Sequence, residues 1–177
     1  MKILKYFLGL MLAMILAFLA FGYIMPVADF QVDETIELPV EPVFSYVSNI
    51  SRWPEWQDGL EEVKLLSGDS LRVGSQYQLV VNDGKYQVEL SLTVLGIRPH
   101  RMIRYRLEGD RLVGDVEMNF QDSGHATVVR WEGEFRGKGI IWRSVVPFMR
   151  RALTRQAQQD LEMLKHKLEY HFDPEAK

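Results

Sequence analysis

Four side chains in this sequence join an apolar ring to a polar tip and share a parity with apolar neighbours: Tyr77, Tyr86, Tyr105 and Trp131. Groups of this kind bury a ligand with the ring and orient its oxygen with the tip. A phenol with a pKa of about 10 is a poor base at neutral pH, so binding is the chemistry they support. The charged residues of the same segments fall on the opposite parity: Glu89, Arg104, Arg106, Asp115, Glu117, Arg130, Glu132 and Glu134. They read as an outer-face ladder of alternating sign. A buried pair such as Glu117 with Glu132 or Glu134, acting as acid and base, would need charge on a buried face. The sequence has no cysteine, which excludes disulfides, thiolate metal sites and cysteine nucleophiles. His166 and His171 are five apart and diverge by about 140° on a helix, and His100 and His125 sit in turns. There is no G-x-S-x-G and no phosphate-cradling glycine loop. No catalytic residue, metal or cofactor is expected.

Strands must carry these side chains. Phe30, Val32, Ile36 and Leu38 share one parity, interrupted by Glu34, and read as a first strand. Pro39 to Asn49 reads as a helix with Pro42 in its first turn, and Trp53-Pro54-Glu55-Trp56 as a short helix or turn. Five or six strands follow. They carry Tyr77, Leu79 and Val81; then Tyr86, Val88, Leu90, Leu92 and Val94; then Ile103, Tyr105 and Leu107. Leu112, Val116, Met118 and Phe120 mark the next strand, and Thr127, Val129, Trp131 and Phe135 the last. Asp83-Gly84 is a hairpin signal. Val146, Met149, Leu153, Ala157, Leu161, Leu164 and Leu168 then form one stripe of a long helix, which Pro147 begins or kinks. An antiparallel sheet must cover its apolar face, and this helix is the one large apolar surface available. The expected class is α+β, a curved antiparallel sheet wrapped around the C-terminal helix.

Ahead of this domain, Tyr6 to Met25 is a run of 20 residues without a charge, preceded by Lys2 and Lys5. A helix of that length reaches about 30 Å, the thickness of a hydrocarbon core. Asp29, Asp33 and Glu34 follow it, so the positive-inside rule leaves the N-terminus in the cytoplasm. The reading is a single-pass anchor over residues 1–28, in an inner membrane, with residues 29–177 as an extracytoplasmic (periplasmic) domain. An uncleaved or cleaved signal peptide is the rival, although its apolar region is usually shorter.

Together these segments resemble the SRPBCC superfamily of START, Bet v 1 and polyketide-cyclase-like proteins. The carriers are Ile36-Glu37-Leu38-Pro39, Val43-Phe44-Ser45-Tyr46-Val47, Trp53-Pro54-Glu55-Trp56, Val73-Gly74-Ser75-Gln76-Tyr77, Pro99 to Tyr105, Thr127 to Trp131, and Leu161 to Leu168. The resemblance spans about residues 31–170 and does not include the anchor. It implies a helix-grip fold with a hydrophobic cavity between sheet and helix, holding a lipid, quinone or polyketide-like molecule. It carries over no catalytic residue. On that expectation the cavity is lined by Tyr77, Tyr86, Leu90, Tyr105, Met118, Phe120, Trp131, Phe148, Met149 and Leu153, with Trp53, Trp56 and Trp142 at its mouth. Two alternatives stand beside this binding module. One is an aromatase/cyclase or dehydratase of the same fold. The other is a structural protein whose cavity is filled by its own side chains.

Charge bears on the partners. Hydrophobic residues make up 47% of the chain and charged ones 25%, with a net charge of −3, so neither disorder nor general nucleic-acid binding is expected. Residues 29–62 hold nine acids and one base, Arg52, whereas residues 135–159 hold six bases and no acid. Either the two segments pair within the domain, or Arg143, Arg150, Arg151 and Arg155, beside Ile140, Ile141, Trp142 and Phe148, meet anionic headgroups.

Overall fold

In the computed structural model, which describes residues 2–82, 84 and 86–172, the apolar helix α1 (Lys2–Ile24) leads within two residues into β1 (Val27–Ile36). Helix α2 (Val40–Ser48) and a 3₁₀ turn (Ile50–Glu55) cross to β2 (Leu60–Ser67). β3 (Gln76–Asn82), β4 (Gln87–Arg98), β5 (Met102–Glu108), β6 (Leu112–Asp122) and β7 (Thr127–Gly137) follow as a meander. α3 (Gly139–Val145), a second 3₁₀ turn (Val146–Met149) and the long α4 (Arg150–Phe172) end the described chain. The strands form one antiparallel sheet in the order β1-β7-β6-β5-β4-β3-β2. Asp83 of the expected hairpin lies outside the described residues; its neighbour Gly84 takes φ +84°, where glycine is favoured.

The alternation sorts faces as read. Val116, Met118, Phe120, Val129, Trp131 and Phe135 are buried, while Arg106 and Arg130 on the other face pair with Asp115 at 2.6 Å and Asp33 at 2.8 Å. Asp115 is held below the usual carboxylate range, first by the Arg106 hydrogen bond. Glu117 and Glu132 are opposite each other in the register on this outer face, and Glu117 accepts from Asn119 at 2.9 Å. Register shifts between Val94 and Gly96 in β4, and two more in β2, break the ladder. Such irregularities bend a strand and help a sheet curl.

Helix α4 packs along β1 and closes the apolar face. Its stripe delivers Ala157, Leu161, Leu164 and Leu168 to the core. Glu34, which interrupts the apolar parity of β1, points to the helix and accepts from Lys165 at 2.8 Å and Gln158 at 3.3 Å. A polar residue on the buried parity thus acts as the clamp between sheet and helix. β2, absent from the parity reading, buries only its first residue, Leu60. An edge strand with Leu60 buried, only Val63 half-buried against the core and a register shift between them leaves no apolar alternation to read, and its Glu61, Glu62 and Lys64 discourage further pairing.

Candidate ligand-binding groove

The space between sheet and helix is occupied by a cluster of aromatic rings. Trp53 lies 5.1 Å from Tyr105 and 6.1 Å from Trp56, and Trp56 lies 5.8 Å from Trp131, centroid to centroid. Trp131 Nε1 donates to the Tyr105 hydroxyl at 3.1 Å, and Trp53 Nε1 donates to the Val47 carbonyl at 2.9 Å. Burial pushes the Tyr105 phenol well above its ordinary value, which removes it from acid–base work near neutrality. Tyr77 is also buried, and its hydroxyl accepts the Leu71 backbone N–H at 3.0 Å.

Beside this cluster an open groove of about 800 Å³ runs between the Pro54–Glu61 segment, the end of β3 and one face of α4. Trp56, Gln57, Leu60, Asp160, Met163 and His166 are on its walls. Three features mark it. Trp56 is 1% exposed, yet its indole N–H has no hydrogen-bond partner. The buried Gln57 Nε2 has none either. Asp160, 5% exposed, is an acid on the inner face of α4. Its Oδ1 accepts the Asp58 backbone N–H and Gln156 Nε2, both at 3.0 Å. Burial raises the Asp160 carboxyl to about 6, with the Asp58 carboxylate adding to the rise and the two hydrogen bonds opposing it. An orphaned buried donor costs about 1–3 kcal/mol, so two such donors beside a groove favour an occupant with acceptor oxygens. Asp160 can accept from a ligand hydroxyl when ionised, or donate to a carbonyl when protonated.

A second open groove continues past Met163 and His166 to Tyr46, Arg52, Lys167 and Tyr170. Here the Tyr46 hydroxyl donates to Glu55 at 2.8 Å, and burial together with that bond pushes its pKa up to about 12. Among the described residues no group of histidines and acids could hold a metal ion.

The expected lining residues separate into groups. Tyr105, Trp131, Met118 and Phe120 meet in the core, with Leu90, Met149 and Leu153 half-buried against it. Tyr86 has the expected parity but is 71% exposed, because it precedes β4 at the hairpin end of the sheet, away from the covered core. Phe148 is 64% exposed and faces α1, because it lies one position off the stripe of Val146, Met149 and Leu153 that turns toward the sheet. Trp53 and Trp56, expected at a mouth, are core residues, and only Trp56 also reaches the groove. Trp142 sits on α3, not at this groove, with Arg111 stacked over its ring at 4.9 Å. Sequence parity missed Asp160, Gln57, Met163 and His166. The signal for Asp160 was present: it falls three residues after Ala157 and four before Leu164, on the apolar stripe itself.

The sequence profile of a family described as "Polyketide cyclase / dehydrase and lipid transport" matches residues 27–169. The chain belongs to this family. Solved structures of the same fold include the Zhui aromatase/cyclase from a Streptomyces species, at 13% identity and a TM-score of 0.72, covering 84% of this chain and 98% of that one. A START superfamily protein from Mycobacterium smegmatis is similar at 15% identity and a TM-score of 0.68, covering 81% of this chain and 98% of the other. None of the curated proteins matches the chain. The family match begins at Val27, the first residue of β1, so α1 lies outside the shared domain. α1 is long and apolar enough to cross a membrane, with Ile3–Ile24 almost wholly exposed.

Proposed function

We propose that this protein is a membrane-tethered binding module for a hydrophobic small molecule with a polar, oxygen-bearing end. α1 is its single inner-membrane span, and the domain stands on the extracytoplasmic side. The unpartnered Trp56 indole N–H, buried just behind the wall of a ligand-sized groove and reached when the ring moves, carries this reading. The polar end of the ligand meets Trp56, Gln57 and Asp160. Its apolar body lies on Leu60 and Met163, and entry deeper into the domain requires Trp56 to swing away from Trp131. The ligand class is lipid, quinone or polyketide-like, and the family description supports the lipid and the polyketide. Binding draws on burial of ligand surface, about 25 cal/mol per Å² before ordering costs.

The deciding experiment is mass spectrometry of the full chain, released from detergent without denaturation. A copurified lipid or quinone, lost in Trp56→Ala, is the expected result. Repeated empty spectra together with no uptake of added lipids or quinones would overturn the reading. Fusion of a periplasm-active reporter to the C-terminus checks the orientation, and an inactive reporter would reverse it.

Asp160 favours a second reading, an aromatase/cyclase or dehydratase. A buried carboxyl with a pKa of about 6 can exchange protons near neutrality. Turnover separates the two: conversion of an added polyketide-type substrate by the parent chain, lost in Asp160→Asn, supports the enzyme, whereas binding without conversion by the parent supports the carrier.

A further inference from the structure

One surface remains unused by the groove. On α3 and the 3₁₀ turn after it, Ile140, Ile141 and Phe148 are 64%, 62% and 64% exposed. This is a large apolar display for a short segment of a folded domain. The same segment packs on the last two turns of α1. Phe148 lies 5.4 Å from Phe21 and 6.2 Å from Phe18, ring to ring. Gly22 of α1 lies against the Ser144 backbone so closely that a side chain there would collide with it. The small pair brings the two backbones into contact, which fixes the height of α3 along α1. Phe18 is six residues from the end of α1 at Ile24, about 9 Å along the helix. If α1 spans the bilayer, this height is the interfacial zone, where amphipathic helices bury their apolar side about 5–10 Å deep.

Charge agrees. Of the six bases between residues 135 and 159, only Arg150 pairs with the acidic segment 29–62, through Asp29 at 3.0 Å. Arg136 and Lys138 pair locally with Glu134 and Glu108. Arg143, Arg151 and Arg155 have no ion-pair partner among the described residues, and all three are exposed. The internal-pairing account of the charge asymmetry therefore covers only part of it. Arg143 lies on the strip's own helix, and Arg151 and Arg155 follow in the first two turns of α4, on a groove that Asp33 and Glu162 also line. Cations this close in the chain to an apolar strip suit one occupant, the surface of an anionic bilayer, and α1 already holds the strip there.

We infer that α3 and the following 3₁₀ turn form an interfacial foot, which seats Ile140, Ile141 and Phe148 among the acyl chains and presents Arg143, Arg151 and Arg155 to anionic headgroups. The inference rests on α1 being a membrane span. Its consequence is orientation. Asp160 is ten residues along α4 from the foot, about 15 Å of helix axis, so the groove is held at a set distance and rotation from the bilayer.

The absence of cysteine makes the test direct. Single substitutions Leu12→Cys, Ile141→Cys and Val73→Cys in the full chain, spin-labelled and reconstituted in phosphatidylglycerol-containing vesicles, are compared for collision with oxygen and with a water-soluble nickel chelate. The expected result is oxygen-dominated collision at positions 12 and 141, and nickel-dominated collision at position 73. A lipid-buried label at 12 with a water-exposed label at 141 overturns the foot and leaves the span standing. A water-exposed label at 12 overturns the span, and the foot with it. Spin–spin broadening at 141 that vanishes on dilution with unlabelled chain would mean that a second copy covers the strip, which also overturns the foot. Replacing Arg143, Arg151 and Arg155 with Gln should make position 141 several-fold more accessible to nickel in anionic vesicles, with no change in phosphatidylcholine vesicles. An equal response in both lipids would overturn the headgroup contact.

Discussion

Trp53 and Trp56 lie three residues apart and are each 1% exposed, yet they use their indole N–H groups in opposite ways. Trp53 donates to the Val47 carbonyl and locks the first 3₁₀ turn to α2. Trp56 donates to nothing and forms part of the groove wall. The difference separates a packed centre, where Trp53, Tyr105 and Trp131 satisfy their tips, from an edge where Trp56, Gln57 and Asp160 carry unmet or costly polar groups. Nature tolerates such groups where a ligand, a proton or a motion uses them.

Substitutions can break this contrast, and the largest effect belongs to the centre. Trp53→Ala should lose about 3–5 kcal/mol of stability, from the cavity and the lost hydrogen bond, read by urea unfolding of the full chain in detergent. A loss below about 1 kcal/mol would mean the centre is not the packed region described. Asp160→Asn tests the edge with the opposite sign. Asp160 has its folded pKa raised to about 6 above the ordinary value of 3.8, so its contribution is fully present below pH 4 and is lost as pH rises through 6. The ionised group therefore costs the fold on the order of 2–3 kcal/mol at neutral pH. Asn keeps an oxygen for Asp58 and Gln156, so the variant should melt higher than the parent at pH 7.5 and lack the fall between pH 4 and 6. Equal melting at all pH values would remove Asp160 from the buried edge.

Smaller effects sharpen the boundary. Tyr105→Phe leaves the Trp131 N–H without its acceptor and should cost about 1–2 kcal/mol, with ligand retention reduced only as far as stability falls. Trp56→Phe removes a donor that has no partner, so stability should change by less than about 1 kcal/mol while retention drops. A Trp56→Phe protein that holds ligand as well as its parent would reduce Trp56 to a packing residue.

Much of this architecture was legible beforehand, for identifiable reasons. Parity assigned Val116, Met118, Val129 and Trp131 inward, and Arg106 and Arg130 outward, because a strand offers only two faces. The stripe was visible because seven apolar residues recur at three or four positions, the last five of them in α4 and the first two in the 3₁₀ turn before it. β2 was invisible because a mostly exposed edge strand, with Leu60 and Val63 out of step across a register shift, imprints no alternation. Tyr86 misled because parity tells which face a residue occupies, not whether anything covers that face. Phe148 misled because it lies one position off the apolar stripe and packs on Phe18 and Phe21 of α1 instead of the sheet.

By itself the sequence determined the apolar N-terminal helix, the antiparallel meander and the gripping helix, since each follows from local periodicity. Tertiary structure alone decided that three tryptophans and a tyrosine meet and fill the centre. It also decided that Asp160 is desolvated beside Trp56, and that α3 rests on the last turns of α1. Those facts depend on residues up to 122 positions apart, such as Gly22 and Ser144, whose proximity no local pattern encodes because distance in a folded chain is set by packing.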